Sequence, residues 1–329
     1  MAKIIGLGNA LVDIIVFIDN DSLLEDLELP KGSMTLVDFE KSTAIRKACE
    51  HLDFSIASGG SAANTIHGIA KLGIETSYVG KIGEDDYGEI FKSDLIKSHI
   101  HPILLPSETH TGRAVALISP DRERTFATHL GAAIELAADD MDAEQFKGHD
   151  YFHIEGYAVQ NNELLEKAVK LAKAEGLFIS LDLASYNVVE DNLEFLKYIV
   201  RDYVDIVFAN EEEAKSFTGK QPEEALDDLA SICKIAVVKT GKSGSLVKSE
   251  GITYKIDAIE AKVIDTNGAG DIYAAGFLYG LAKNLPLDEC GKAGAILAGK
   301  IIEIIGARLD EKSWKQATEL FNNSLSQNS

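Results

Sequence analysis

Basic residues are scarce in this chain: 32 Lys and Arg stand against 53 Asp and Glu in 329 residues, a net charge of −21. A nucleic-acid backbone needs clustered cations, so no nucleic-acid partner is expected, and an anionic membrane surface is disfavoured on the same ground. Cysteine is also rare. Cys49, Cys233 and Cys290 are far apart and form no Cys-x-x-Cys pair, which gives no disulfide or metal-site pattern and suits a reducing, cytoplasmic setting. Long apolar runs are missing too. The most apolar stretch, 294–305, carries Lys300 and Glu303 and reads as a buried helix, too short and too charged to span a bilayer. Residues 2–8 look like a first strand and not a signal peptide. There is no Pro/Ser-rich linker, low-complexity tract or internal repeat. With 46% hydrophobic residues, a chain of this length can bury the core of a single domain, 1–329.

What is present is an alternation. Near-continuous apolar strands are expected at Lys3–Leu7, Thr76–Gly80, Tyr151–Ile154, Phe178–Asp182, Ile206–Phe208 and Ala236–Lys239. Amphipathic helices are expected between them, at Ala62–Leu72, Asp86–Ser98, Glu163–Glu175, Leu193–Val200, Glu211–Thr218 and Glu223–Cys233. That order predicts an α/β fold, a mainly parallel sheet covered on both faces. The segment Leu246–Ile256, with Gly251 at its centre, predicts an antiparallel hairpin closing one edge. Two regions break the alternation: about 14–58, with candidate strands at Ile14–Asp19, Ser33–Val37 and Phe54–Ser58, and 112–130, two strands joined by the charged turn 120–124. Inserted strands of this kind predict a small β-rich lid.

Two nucleotide motifs are present only in fragments. Gly6-Leu7-Gly8-Asn9-Ala10-Leu11 starts like a dinucleotide fingerprint, but Leu11 replaces the third glycine and the following residues look like strand. Gly241-Lys242-Ser243 resembles the end of a phosphate loop, but Ala236 stands where its first glycine must be. A third motif is more informative. Asp265-Thr266-Asn267-Gly268-Ala269-Gly270-Asp271 places a glycine turn and a carboxylate at the start of an apolar helix. The first helical turn offers unpaired N–H groups and a positive dipole end, small residues let a phosphate approach, and the carboxylate stands where an attacking hydroxyl would lose its proton. The pattern points to phosphoryl transfer to an alcohol. A carboxylate beside a helix N-terminus is expected to have a low pKa.

The glycine pattern from Gly59-Gly60 to Gly88, together with Asp265 to Gly276, resembles the two signatures of the ribokinase-like (PfkB-type) carbohydrate and nucleoside kinases. The resemblance runs from Gly6 to about Leu309 and is strongest to the adenosine-kinase-like branch, through 8–14, Thr111-Gly112, 130–133, 204–211 and the loop 265–271. It implies a three-layer ribokinase-like fold and a kinase using ATP and Mg²⁺, with K⁺ as a further candidate ion. By this resemblance Asp271 is the catalytic base, and Gly268, Ala269 and Gly270 form the anion hole. Asn9, Asp13, Gly59, Gly60, Asn64 and Glu155 contact the acceptor, and Asn210, Thr240 and Gly241 join Gly268 and Gly270 around ATP. Asn210 and Glu213 match a Mg²⁺ motif acting through water, and Asp265 matches a monovalent-cation loop. Ser61 has a plainer reading as a helix N-cap. Arg113 and Arg124 are the candidate lid cations near phosphate or substrate; the histidines show no metal-ligand spacing.

The resemblance implies a primary hydroxyl on a sugar or nucleoside as the acceptor, adenosine first. The residues leave two other readings open: a kinase of a free sugar or sugar acid (ribose, fructose or 2-keto-3-deoxygluconate type), and a non-catalytic sensor that kept the fold. A homodimer covering the lid strands is a further expectation.

Overall fold

The computed structural model describes residues 2–326, with side chains through Phe321. Its strands, in chain order, are β1 (Lys3–Leu7), β2 (Leu11–Phe17), β3 (Met34–Leu36), β4 (Phe54–Gly59), β5 (Glu75–Gly83), β6 (Ile100–Ser107), β7 (Gly112–Ile118), β8 (Arg124–His129), β9 (Tyr151–Glu155), β10 (Phe178–Asp182), β11 (Ile206–Asn210), β12 (Ile235–Lys239), β13 (Ser245–Ser249) and β14 (Ile252–Ile256). They form a nine-stranded sheet, ordered β14-β13-β12-β11-β10-β9-β1-β5-β6, and a five-stranded sheet, ordered β3-β8-β7-β2-β4. In the larger sheet every pairing from β12 to β6 is parallel. The β13–β14 hairpin adds antiparallel strands at one edge. Its turn residues Glu250 and Gly251 have φ of 50° and 79°, the left-handed pair that a two-residue hairpin needs.

Period-two alternation sends successive side chains to opposite faces. Ile206, Phe208, Ile235 and Val237 join one core with the helices Ser61–Lys71, Ala269–Ala282 and Leu287–Ile301. Val207, Ala209, Ala236 and Val238 join the other core, with Asn162–Ala174, Leu193–Tyr203 and Pro222–Ala230. Strands buried on both sides have no polar face, which is why they read as continuous apolar runs.

The expected strands and helices of the larger layer are present, with ends shifted by up to three residues. Several elements were not foreseen, among them the short helices Ser22–Asp26 and Tyr186–Asp191. β6 carries Pro102 and Pro106; it lies at the sheet edge, where a strand tolerates proline because a missing N–H breaks no ladder. A helix at Phe39–Ala48, opened by the Asp38 side chain accepting from Lys41 N, lies between β3 and β4. A helix at Glu311–Ser326 follows the last expected element. The stretch expected to be helical at 294–305 belongs to Leu287–Ile301, and the chain then turns.

The helices Ala269–Ala282 and Leu287–Ile301 approach closely because glycines face each other. A Cβ at Gly276 would lie 2.5 Å from Ala293 O and 2.8 Å from Gly294 Cα. Backbone atoms cannot rotate away as a side chain can. Overpacking costs about 1–3 kcal/mol, whereas replacing a mid-helix glycine by alanine gains at most about 1 kcal/mol in propensity. Gly276→Ala should therefore lower the midpoint of urea unfolding; an unchanged or higher midpoint would mean that the two helices separate freely.

Candidate active site

A cavity of about 1190 Å³ opens at the C-terminal ends of the parallel strands, beneath the smaller sheet. Ligands of open α/β sheets bind at that end. Asn9, Asp13, Gly60, Asn64, Glu155, Asn210, Glu213, Gly241, Gly268, Ala269, Gly270 and Asp271 all line it. Three other sequence-selected residues, Gly59, Thr240 and Asp265, stand behind its wall. Gly59 still matters to it: a Cβ there would lie 2.2 Å from the Asp13 carboxyl, so only glycine leaves room for that side chain.

Asp271 is the third residue of the helix Ala269–Ala282. Gly268 caps that helix at φ 72°, a left-handed conformation, and a Cβ there would meet Ala307 Cβ at 2.7 Å. Both requirements select glycine. The Asp271 carboxylate accepts from Ser61 Oγ at 2.7 Å and from Asn64 Nδ2 at 3.0 Å. Its backbone carbonyl accepts from Thr65 Oγ1 at 3.1 Å. One face of the helix Ser61–Lys71 thus aims the carboxylate. Gly60, at φ 96°, holds the N-cap position expected of Ser61, so the Ser61 hydroxyl is left to bind Asp271.

The expected low pKa of Asp271 is not found. Burial raises it to about 6, against the lowering by the Asn64 and Ser61 hydrogen bonds and by Lys239; Asp182 raises it further. The dipole argument assumed a solvated helix end, and desolvation of the charge outweighs it here. Asp13 is raised to about 6 as well, first by burial, with Arg308 opposing and Asp271 adding to the rise. No protein hydrogen bond reaches the Asp13 carboxylate among the described residues.

Glu155 lines the cavity, but both of its oxygens are already engaged by the protein. It is 1% exposed, and its oxygens accept from Asn9 N at 2.8 Å and Ala62 N at 2.9 Å. It thereby ties the end of β9 to the β1–β2 loop and to the start of the helix Ser61–Lys71. A Cβ at Gly8 would meet its Oε2 at 2.3 Å, which explains the second glycine of the broken fingerprint.

Asn210 and Glu213 form a reciprocal helix cap. Asn210 N and Nδ2 donate to Glu213, both at 2.7 Å, and Glu213 N donates to Asn210 Oδ1 at 2.8 Å. Burial first, then Asp182, raises Glu213 to about 7. With these atoms engaged, direct coordination of Mg²⁺ would break the cap, whereas a hydrated ion fits and would favour the ionised carboxylate.

Sequence reasoning missed Lys239 and Asp182. Lys239 Nζ donates to Asp182 Oδ2 at 2.7 Å, and it lies 3.0 Å from where a Cβ at Gly270 would be. The only signal was position: both residues end parallel strands, β12 and β10.

The two arginines part company. Ala114 lines the cavity from β7, so Arg113, the neighbouring residue, points to the opposite face. There it donates to Ser42 Oγ at 2.7 Å and Thr43 Oγ1 at 2.6 Å, on the unforeseen helix, and stacks over Phe39 and Tyr87. The expectation that Arg113 faces phosphate or substrate is corrected. Arg124 shares the cavity-side parity of Phe126 and Thr128 on β8, and it pairs with Asp265. Asp265 Oδ1 also accepts from Asn267 N at 3.0 Å, and Oδ2 from Gly306 N at 2.8 Å. A free monovalent cation does not fit this carboxylate, because a guanidinium is already on it.

Comparison with known proteins agrees with this architecture. The pfkB family carbohydrate kinase profile matches residues 32–314. The structure of a probable sugar kinase protein from Rhizobium etli CFN 42 superposes with a TM-score of 0.87 at 33% identity, covering 97% of this chain and 98% of that one. For the adenosine kinase from Sinorhizobium meliloti the TM-score is 0.86 at 33% identity, with 97% and 99% covered. The 5-dehydro-2-deoxygluconokinase of Clostridium perfringens is 27% identical over 293 residues, 83% of this chain and 86% of its own length. A profile spanning most of the chain, over a matching fold, is decisive: the chain belongs to the pfkB family of carbohydrate kinases, in its adenosine-kinase-like branch, and is a phosphotransferase acting on an alcohol group.

Proposed function

We propose that this kinase phosphorylates the primary hydroxyl of a ribonucleoside, adenosine first, with MgATP as donor. The observation that carries the reading is the make-up of the acceptor half of the cavity. Asn9, Asp13, Met34, Leu36, Phe126, Thr128 and Tyr157 line it, with one carboxylate and no lysine or arginine. The two lysines in the cavity wall, Lys239 and Lys242, belong to the half beside Gly241 and Gly270. A sugar acid or a phosphorylated sugar would bring a second anion to a wall whose nearby guanidiniums, Arg124 and Arg308, are already paired with Asp265 and Asp94. A neutral diol with an apolar, planar appendage suits it better: one carboxylate accepts from two neighbouring hydroxyls, and Phe126, Met34 and Leu36 cover the base.

In this reading the acceptor hydroxyl lies between Asp13 and Asp271. With a pKa of about 6, Asp271 is ionised at neutral pH and takes the hydroxyl proton as attack on the γ-phosphoryl proceeds. Gly270 and Asp271 stand in the first helical turn, where backbone N–H groups have no intrahelical acceptor, and their donors stabilise the charge on the transferring group. Lys239, beside Gly270, adds a fixed cation. Asp182 and the Asn210–Glu213 cap would hold hydrated Mg²⁺, which supplies charge neutralisation on the phosphates. The smaller sheet acts as a lid that excludes water, the competing acceptor. Gly59 makes room for Asp13, and Glu155 positions Asn9 and the first helical turn.

Asp271→Asn should lower kcat by about two to four orders of magnitude and leave ATP affinity nearly unchanged; undiminished turnover with adenosine would remove Asp271 as the base. Activity requires both Asp13 and Asp271 as carboxylates, and both are shifted up to about 6. As pH falls through that value each takes up a proton, so kcat/KM should drop on the acid side with a logarithmic slope between one and two. A profile that stays flat for about one unit below that point would contradict the assignment. Phe126→Ala tests the substrate class. Loss of a base stack worth about 1–3 kcal/mol should raise KM for adenosine by about 5- to 150-fold and barely change that for ribose. Equal effects on both would favour the free-sugar kinase.

A further inference from the structure

The loop from Asp265 to Asp271 is held at its first residue by three donors. Asn267 N and Gly306 N come from the surrounding main chain. The third donor is the Arg124 guanidinium, from the first residue of β8 in the smaller sheet, 141 positions away in the chain. Both side chains of the ion pair are largely buried, 11% and 7% exposed. Such a pair is strongly anchored once formed, because removing either partner leaves the other charge without compensation. Gly306 is itself part of the arrangement. It sits at φ 104°, and its neighbour Ala307 lies against Gly268, the helix cap of the phosphate-binding turn. Asp265 therefore connects the lid, the 306–307 turn and the anion-hole turn in one hydrogen-bonded cluster.

We propose that Arg124 is a positioning residue that serves as a built-in cation for the phosphate-binding loop, doing from the lid what a free monovalent ion would otherwise have to do at Asp265. It neutralises the carboxylate so that the carboxylate can accept two backbone N–H groups and fix the turn that presents Gly268 and Gly270. The consequence is twofold. The loop needs no potassium, and its geometry is set by the position of the smaller sheet. The claim rests on the proposed role of the loop in phosphate binding, but part of its test is independent of turnover.

That part is thermal unfolding of the full-length protein, in potassium, guanidinium and tetramethylammonium chlorides at equal, non-denaturing ionic strength. The wild-type Tm should be the same in all three. Arg124→Ala should melt lower in tetramethylammonium and recover part of the loss in potassium or guanidinium, because an ion that binds only the folded state raises its stability by mass action. Arg124→Lys should keep most of the wild-type Tm. Asp265→Asn, which removes the anion instead, should gain nothing from either cation. A wild-type Tm that rises in potassium, or an Arg124→Ala variant indifferent to every cation, overturns the proposal. In kinetics with adenosine, Arg124→Ala should lose about a hundredfold in kcat through misplacement of the turn, with the same two cations restoring it and Arg124→Lys largely spared. A wild-type enzyme with no turnover on any acceptor counts against the proposed function, and the melting series still decides the role of Arg124.

Discussion

A buried carboxylate at the start of a helix governs much of this structure. Asp271 is removed from water, which disfavours its charge, and the cost is offset by donors that must arrive from a different helix. Ser61 and Asn64 supply them from one face of the helix, and Thr65 on the same face holds the Asp271 backbone carbonyl. That arrangement works only if the two helices are close. Gly68 permits it: a Cβ there would lie 2.7 Å from Ala275 Cβ. On the far side Gly276 and Gly294 admit the helix Leu287–Ile301 with the same economy of volume. The small residues of these helices thus set the distance at which the Asp271 carboxylate is held, and with it the proposed chemistry.

The same site concentrates negative charge. Asp13, Glu155, Asp182, Glu213 and Asp271 surround a cavity whose wall, among the described residues, holds Lys239 and Lys242 as its lysines and no arginine. Burial raises four of the five, Asp13 and Asp271 to about 6 and Glu155 and Glu213 to about 7. Such an enclosure repels a bare polyphosphate and accepts one that brings its own metal ion. On a chain of net charge −21, an anion would depend on local donors, and the proposed place for them is the helix turn at 268–271 with Lys239.

The smaller sheet reaches the larger layer through charged residues as well as through its apolar face. Arg124 on β8 pairs with Asp265. Arg308, in the segment after the helix Leu287–Ile301, donates to Asp94 at 2.9 Å and to Ser58 O on β4 at 2.6 Å. Both guanidiniums lie near enough to influence Asp13. An acceptor held by Asp13 and a phosphate held by the 268–271 turn would therefore meet beneath a sheet anchored at two arginines.

Local patterns in the sequence determined the layered α/β architecture. Apolar runs such as 206–209 suit a strand buried on both faces, and the left-handed pair Glu250-Gly251 suits a tight hairpin. The glycine turn at 268–271 was legible for the same reason: its glycines and its carboxylate are neighbours in the chain. Roles that depend on partners far along the chain were not legible. The pKa of Asp271, the aim of Ser61, the pairing of Lys239 with Asp182 and the engagement of Glu155 by Asn9 and Ala62 are set by contacts across tens to hundreds of positions. Arg113 and Arg124 make the contrast plain. Both were charged residues in the same inserted hairpin, yet strand parity and the covering helix Phe39–Ala48 sent one away from the cavity and the other onto Asp265. Sequence fixes which groups a segment carries and which face each takes; burial and long-range pairing, which exist only after folding, decide what those groups do.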